Sequence, residues 1–156
     1  MIDSKAPRFY PLPVQEDADH VRLQAWVQLA RTFYRIERRI STLLTEQSMT
    51  MAQFDVLATL RYSEGITQQE LAELLLVTKG NVCGLLDRLE KQHWVERRPD
   101  AHDGRTNRIH LTATGRSKIE SALPAHDRLV QRTMDCLSEA DLRQLQRMLK
   151  QLEKPL

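Results

Sequence analysis

The stretch Thr67–Thr112, TQQELAELLLVTKGNVCGLLDRLEKQHWVERRPDAHDGRTNRIHLT, decides the fold. It reads as helix, turn, helix, strand, basic loop, strand. Thr67 and Glu70 form a capping box: the hydroxyl meets a first-turn amide and the carboxylate returns to the cap amide. That helix runs to about Leu76. Val77-Thr78 breaks it, and Thr78 is placed to cap a second helix that ends near Gln92. In the second helix Val82, Leu85, Leu86 and Leu89 share one face at i, i+3, i+4, i+7, the pattern of a buried stripe. The opposite face carries Gly80, Gly84, Asp87 and Lys91, flanked by Asn81 and Arg88. A glycine in an exposed helix costs about 1 kcal/mol relative to alanine. A helix that touches only water gains nothing in return, whereas one pressed against another polymer gains a close backbone approach. The plainer alternative is that Gly80 lies in the first turn, where it is cheap, and Gly84 is drift.

After Gln92 the period changes. Val95-Glu96-Arg97-Arg98-Pro99 leads into a polar tip through Asp103-Gly104. From Arg105 to Thr112, Ile109 and Leu111 alternate with Arg108 and His110, as in a half-buried strand. The segment 95–111 is thus a β-hairpin with a charged tip. Arg97, Arg98, Arg105 and Arg108 cluster there, a set suited to phosphate or minor-groove contact. A basic loop by itself is usually solvated surface. Directly after a helix-turn-helix it makes a winged helix, with the second helix in the major groove and the hairpin along the backbone.

Composition sets the bounds. A chain of 156 residues is long enough for one domain with a real core. Its net charge of +2 is not that of a general nucleic-acid packer, so DNA affinity has to come from locally placed charge. Two cysteines, Cys83 and Cys136, make no disulfide framework and point to a reducing compartment. The first residues lack an apolar signal core and no run approaches the ~18 residues of a membrane span, so a cytoplasmic protein with no membrane partner is expected.

Outside the central stretch the chain is helical. Residues 1–16 hold three of the six prolines and read as an extended arm. A long helix covers 17–47, with one apolar strip from Val21 to Leu44 and a second through Leu23, Val27, Ala30 and Tyr34. A partner chain is the simplest cover for that second strip. Residues 48–64 form a helix with its own capping box, Thr50 to Gln53, and a glycine stop at Gly65. Ile66 is placed for a short β-bridge to the hairpin. Thr112 caps a helix to about Leu137, which Pro124 is expected to kink or interrupt. Ser138 caps a last helix to about Lys154, where Leu142, Leu145, Leu149 and Leu152 space 3-4-3 in a coiled-coil-like seam.

LLDRLEK at the end of the second helix, VERRPD, Asp103 and Arg105 in the wing, and LTATG at the next helix start resemble the MarR family of bacterial transcriptional regulators. With the helix order on either side, the resemblance spans about residues 17–153. It implies a mainly α fold with a small β-hairpin wing: a winged helix-turn-helix flanked by N- and C-terminal dimerisation helices. The organisation implied is a single domain, 1–156, with dimerisation helices at 17–47 and 113–153 and a DNA-binding lobe at 48–112. A homodimer would read a pseudo-palindromic operator in double-stranded DNA and repress until a small-molecule effector, of unknown identity, released it. DNA-facing positions carry over to Thr78, Lys79, Gly80, Asn81, Cys83, Gly84 and Arg88, with Gln68 on the preceding helix and Arg98, Asp103, Arg105 and Arg108 in the wing. Asp103 would hold the wing while Arg105 enters the minor groove. By analogy of fold alone, Arg22, Trp26, Phe33 and Tyr34 would wall an effector site, although aromatics at helical spacing are more often core. The chain departs from the family at His93-Trp94, where glycine and an aliphatic residue are usual. His93 then has to adopt the left-handed conformation, and Trp94 is placed to anchor the wing.

Other function classes find less support. There is no nucleophile elbow, P-loop, GxGxxG or HExxH, hence no catalytic residue and no cofactor. A metal-sensing reading would use His102, Asp103 and His110, which lack a tight ligand pair. A thiol-responsive regulator using Cys83 is the alternative within the same fold, with a small packing residue as the plainer reading of that cysteine. A pure protein-interaction module is argued against by the basic wing.

Overall fold

A computed structural model describes residues 18–100 and 106–154. The arm expected over 1–16 and the wing-tip residues Asp103 and Arg105 lie outside them. The described elements run α1 (Ala18–Glu46), α2 (Met51–Tyr62), β1 (Ile66–Thr67), α3 (Gln68–Leu74), α4 (Lys79–Lys91), β2 (Val95–Pro99), β3 (Asn107–Leu111), α5 (Ala113–Met134) and α6 (Glu139–Glu153). The chain divides between Arg39 and Ile40 into two units.

In the first unit α1 leaves Val21, Leu23, Trp26, Phe33 and Tyr34 exposed. Phe33 and Tyr34 meet edge to face, 5.8 Å between centroids. Gln24 and Gln28 make side-chain hydrogen bonds one turn away, to His20 and Thr32.

In the second unit Leu44, Leu57, Leu60, Leu71, Val82, Leu86, Leu89, Ile109 and Ile119 are fully buried. Burying one such side chain is worth about 1.5–3 kcal/mol. The α4 stripe is the expected one, except that Leu85 is only half-buried. The sheet is antiparallel in the order β1-β3-β2. Ile66 pairs with Ile109 and Val95 with Leu111, so the expected β-bridge is the third strand of the sheet.

The capping residues read from sequence all cap. Thr50 and Thr67 each complete a capping box, and Thr78, Thr112 and Ser138 accept from an amide in the first turn of α4, α5 and α6. The Thr67 amide donates to Glu70 Oε2 at 2.7 Å and lowers the Glu70 pKa.

Helix ends are where the structure departs from the periodicity. Ser48, Leu76 and His93 have φ of 55°, 53° and 57°. After each, an amide turns back across the end of its helix: Met49 to the Leu44 carbonyl at 3.0 Å, Val77 to Ala72 at 3.0 Å, Trp94 to Leu89 at 2.9 Å. These are Schellman closures made without glycine. They end α3 at Leu74 rather than Leu76, and they delay α2 to Met51 rather than 48. The left-handed His93 is the conformation its place after α4 demanded. Pro124 does not interrupt α5. Both Pro124 and Glu120 are exposed, so water can satisfy the Glu120 carbonyl that the missing proline N–H leaves without a donor.

Glu64 ties three segments together. Its Oε1 accepts from the Leu111 amide at 3.1 Å and its Oε2 from Arg116 Nη2 at 2.7 Å. Burial works against its ionisation, but the hydrogen bond and charge of Arg116, the Leu111 amide and His110 outweigh it and hold the carboxyl below its ordinary pKa. A depressed folded-state pKa gives stability that is present above the unfolded value and is lost as pH falls through the folded one. Glu64→Gln is therefore expected to lower stability at neutral pH, with the difference from the parent chain vanishing in acid. Urea melts at a series of pH values check this, and a pH-independent difference would sink it.

Candidate nucleic-acid interface

Helix α4 presents its two glycines to open space. A Cβ built on Gly80 or on Gly84 meets nothing within 4 Å. Thr78, Lys79, Asn81, Cys83 and Arg88 are exposed around them. The N-terminal end of this surface is set locally. Thr78 Oγ1 accepts from the Asn81 amide at 3.3 Å, and Gln68 Nε2 donates to the Lys79 carbonyl at 3.4 Å. Gln68 is half-buried and in this structure braces the start of α4 from α3.

The hairpin arginines separate by the two-residue period of their strands. Arg98 is exposed and pairs with Glu96 beside it. Arg108 donates to the Asp100 carboxylate and, through Nη1, to the Gly65 carbonyl at 2.8 Å. Asp100 is itself buried, and its amide closes the hairpin onto the Thr106 carbonyl at 2.8 Å. Arg108 thus stitches the base of the wing to the start of β1.

Arg97 corrects the sequence reading that placed it with the phosphate-facing set. Its side chain is 18% exposed and turns onto α4. It pairs with Glu90 and, through Nη2, with Asp87 Oδ1 at 2.8 Å. Glu90 Oε1 also accepts the Arg97 amide at 3.0 Å. Burial opposes the Arg97 charge, but the two carboxylates outweigh it and its pKa is raised. The missed signal was available: Arg97 shares a strand face with Val95, which is buried, and Asp87 and Glu90 lie three residues apart on α4.

Behind α4, the wing meets α5 through Trp94. The Thr112 amide donates to the Trp94 carbonyl at 3.1 Å, and the Thr112 hydroxyl bonds the His93 carbonyl. Lys118 Nζ lies 5.3 Å from the centre of the half-buried Trp94 ring. Trp94 is thus placed as the expected anchor.

The four residues of the expected effector site all fall on α1, where Arg22, Trp26, Phe33 and Tyr34 are exposed. Arg22, Trp26 and Phe33 follow helical spacing along one stripe and Tyr34 stands to its side. Cys83 and Cys136 are both exposed and unpaired with each other. Among the described residues no group of three or more His, Cys, Asp or Glu is set to hold a metal, and no helix is long and apolar enough to cross a membrane.

The family model described as "MarR family" matches residues 47–106. The multiple antibiotic resistance protein MarR of Escherichia coli is 35% identical over 98 residues, 60% of this chain and 68% of that protein. An HTH-type transcriptional regulator of Bacillus cereus is 37% identical over 99 residues, 64% of this chain; the match spans 65% of that relative's length. Among solved structures, a mutant E. coli MarR complexed with operator DNA superposes with a TM-score of 0.79 at 28% identity, covering 88% of this chain and 99% of that one.

Proposed function

The chain belongs to the MarR family of transcriptional regulators, and from that premise we propose that it is a sequence-specific repressor of transcription, a homodimer whose α4 helices enter the major groove of a pseudo-palindromic operator. The observation that carries this reading is the open glycine face of α4, rimmed by Lys79, Asn81 and Arg88. An operator complex of a similar structure supports it. Asn81 is suited to an adenine edge, and Lys79, Arg88 and Arg98 to phosphates. Residues 48–112 form the DNA-binding lobe in this reading, and Arg105 is assigned the minor-groove contact. Cytoplasmic action follows from the same role.

Helices 17–47 and 113–153 supply dimerisation. α6 has no buried residue, and Met148, Leu149 and Leu152 stand exposed on it, as do Trp26 and Phe33 on α1. A double change Leu149→Asp, Leu152→Asp is expected to convert the dimer to a monomer by light scattering, with operator affinity down at least about a hundredfold once the half-sites are no longer linked. A variant that stays dimeric would remove α6 from the interface. Release by a small-molecule effector at Arg22, Trp26, Phe33 and Tyr34 completes the proposal.

The primary test is fluorescence anisotropy of the purified chain on its own upstream intergenic DNA, against a scrambled duplex, at several salt concentrations. Preference for the native sequence with affinity falling steeply as salt rises is expected. Equal binding to both duplexes counts against specific regulation of that site.

A further inference from the structure

Asp87 is an acid in an awkward place. It follows Gly80 and Gly84 at i+7 and i+3, so it belongs to the same exposed face of α4. If that face lies against phosphate-lined DNA, an uncompensated carboxylate there repels the duplex. Arg97 answers it from the far side. Its Nη2 reaches Asp87 Oδ1 at 2.8 Å and the Cys83 carbonyl at 3.4 Å, while Nη1 holds Glu90. The arginine is 18% exposed and spends its donors on α4, whereas Asp87 is 55% exposed.

We propose that Arg97 is a positioning residue for DNA binding that touches no DNA: it masks the charge of Asp87 on the reading helix. This rests on the DNA-binding reading above. It assigns to Arg97 an effect on affinity that passes through one named carboxylate, which separates it from a phosphate contact and from a general fold brace. A phosphate contact would be lost with Arg97 whatever stands at position 87. A masking arginine becomes dispensable once the acid it masks is gone.

The experiment is a double-mutant cycle read by operator anisotropy, with a thermal melt of each chain beside it. Arg97→Gln is expected to weaken binding by about tenfold. Asp87→Asn alone is expected to leave affinity unchanged or raise it by up to about threefold, and the double variant to recover to within about threefold of the parent chain. The proposal is overturned if the double variant binds no better than Arg97→Gln, if Arg97→Gln binds like the parent, or if Asp87→Asn alone loses affinity. The last outcome would make Asp87 a direct reader, as an acid facing a cytosine amino group can be. Should Arg97→Gln melt below the assay temperature, the Asp87→Asn result still decides between masking and reading. A parent chain with no preference for its operator would bring down the DNA-binding reading itself, a result distinct from any failure of the cycle.

Discussion

Replacing Gly115 with alanine is expected to destabilise the fold by about 3 kcal/mol or more, the upper range for forcing atoms into a packed interior. The reason lies at the join between wing and α5. A Cβ at Gly115 would stand 1.8 Å from the Trp94 carbonyl oxygen, 2.7 Å from its carbon and 3.0 Å from Trp94 Cα. These are backbone atoms, so no side-chain rotation relieves the clash. The Trp94 carbonyl is also held in place by the Thr112 amide, and the Gly115 amide is held by Thr112 Oγ1 at 3.0 Å. Parting the two segments therefore breaks the Thr112 bonds to the Trp94 and His93 carbonyls along with the packing. Urea denaturation followed by circular dichroism gives the number. A change within about 0.5 kcal/mol, the size of an ordinary surface substitution, would mean that α5 can move away from Trp94 without loss, and that the glycine of LTATG is not held there by this contact.

Gly115 also marks the limit of what the sequence discloses. Everything local was legible: the caps at Thr50, Thr67, Thr78, Thr112 and Ser138, the α4 stripe, the alternation of β3 and the family motifs depend on spacing along one element. The hidden parts are contacts between segments distant in sequence. The Glu64 ties to Leu111 and Arg116 and the steric demand at Gly115 come only from how elements pack. Helix ends lie between these cases. Ser48 and Leu76 carry no glycine signal, so the reading took Ser48 into α2 and Leu76 into α3, although each is the left-handed residue that closes a helix. At the candidate interface the exposed residues of α4 were legible from one helix face. The division of the wing arginines needed the strand period applied to β2 as strictly as to β3.

The second large effect is expected at Gly84, with opposite signs in the free chain and on DNA. Gly84→Ala should stabilise the free chain, by up to about 1 kcal/mol, because alanine is the better helix former and its methyl meets no neighbour. If the open face of α4 is where a duplex comes close, the same methyl occupies the space that the DNA needs. Affinity for the operator is then expected to fall about tenfold, and about a hundredfold for Gly84→Leu, in line with about 1–3 kcal/mol for overfilling a packed contact. Stability and affinity moving apart is the informative result. A substitution that merely damaged the fold would lower both, and a glycine kept by drift would let stability rise with affinity unchanged. Thermal melts and operator anisotropy on one preparation separate the three outcomes. Unaltered affinity in Gly84→Leu would place the duplex away from this face of α4 and remove the main support for its role as the reading helix. A loss that grows with side-chain volume while the free chain holds its stability would mean that the glycines are there for what lies outside the fold, since nothing inside it calls for them.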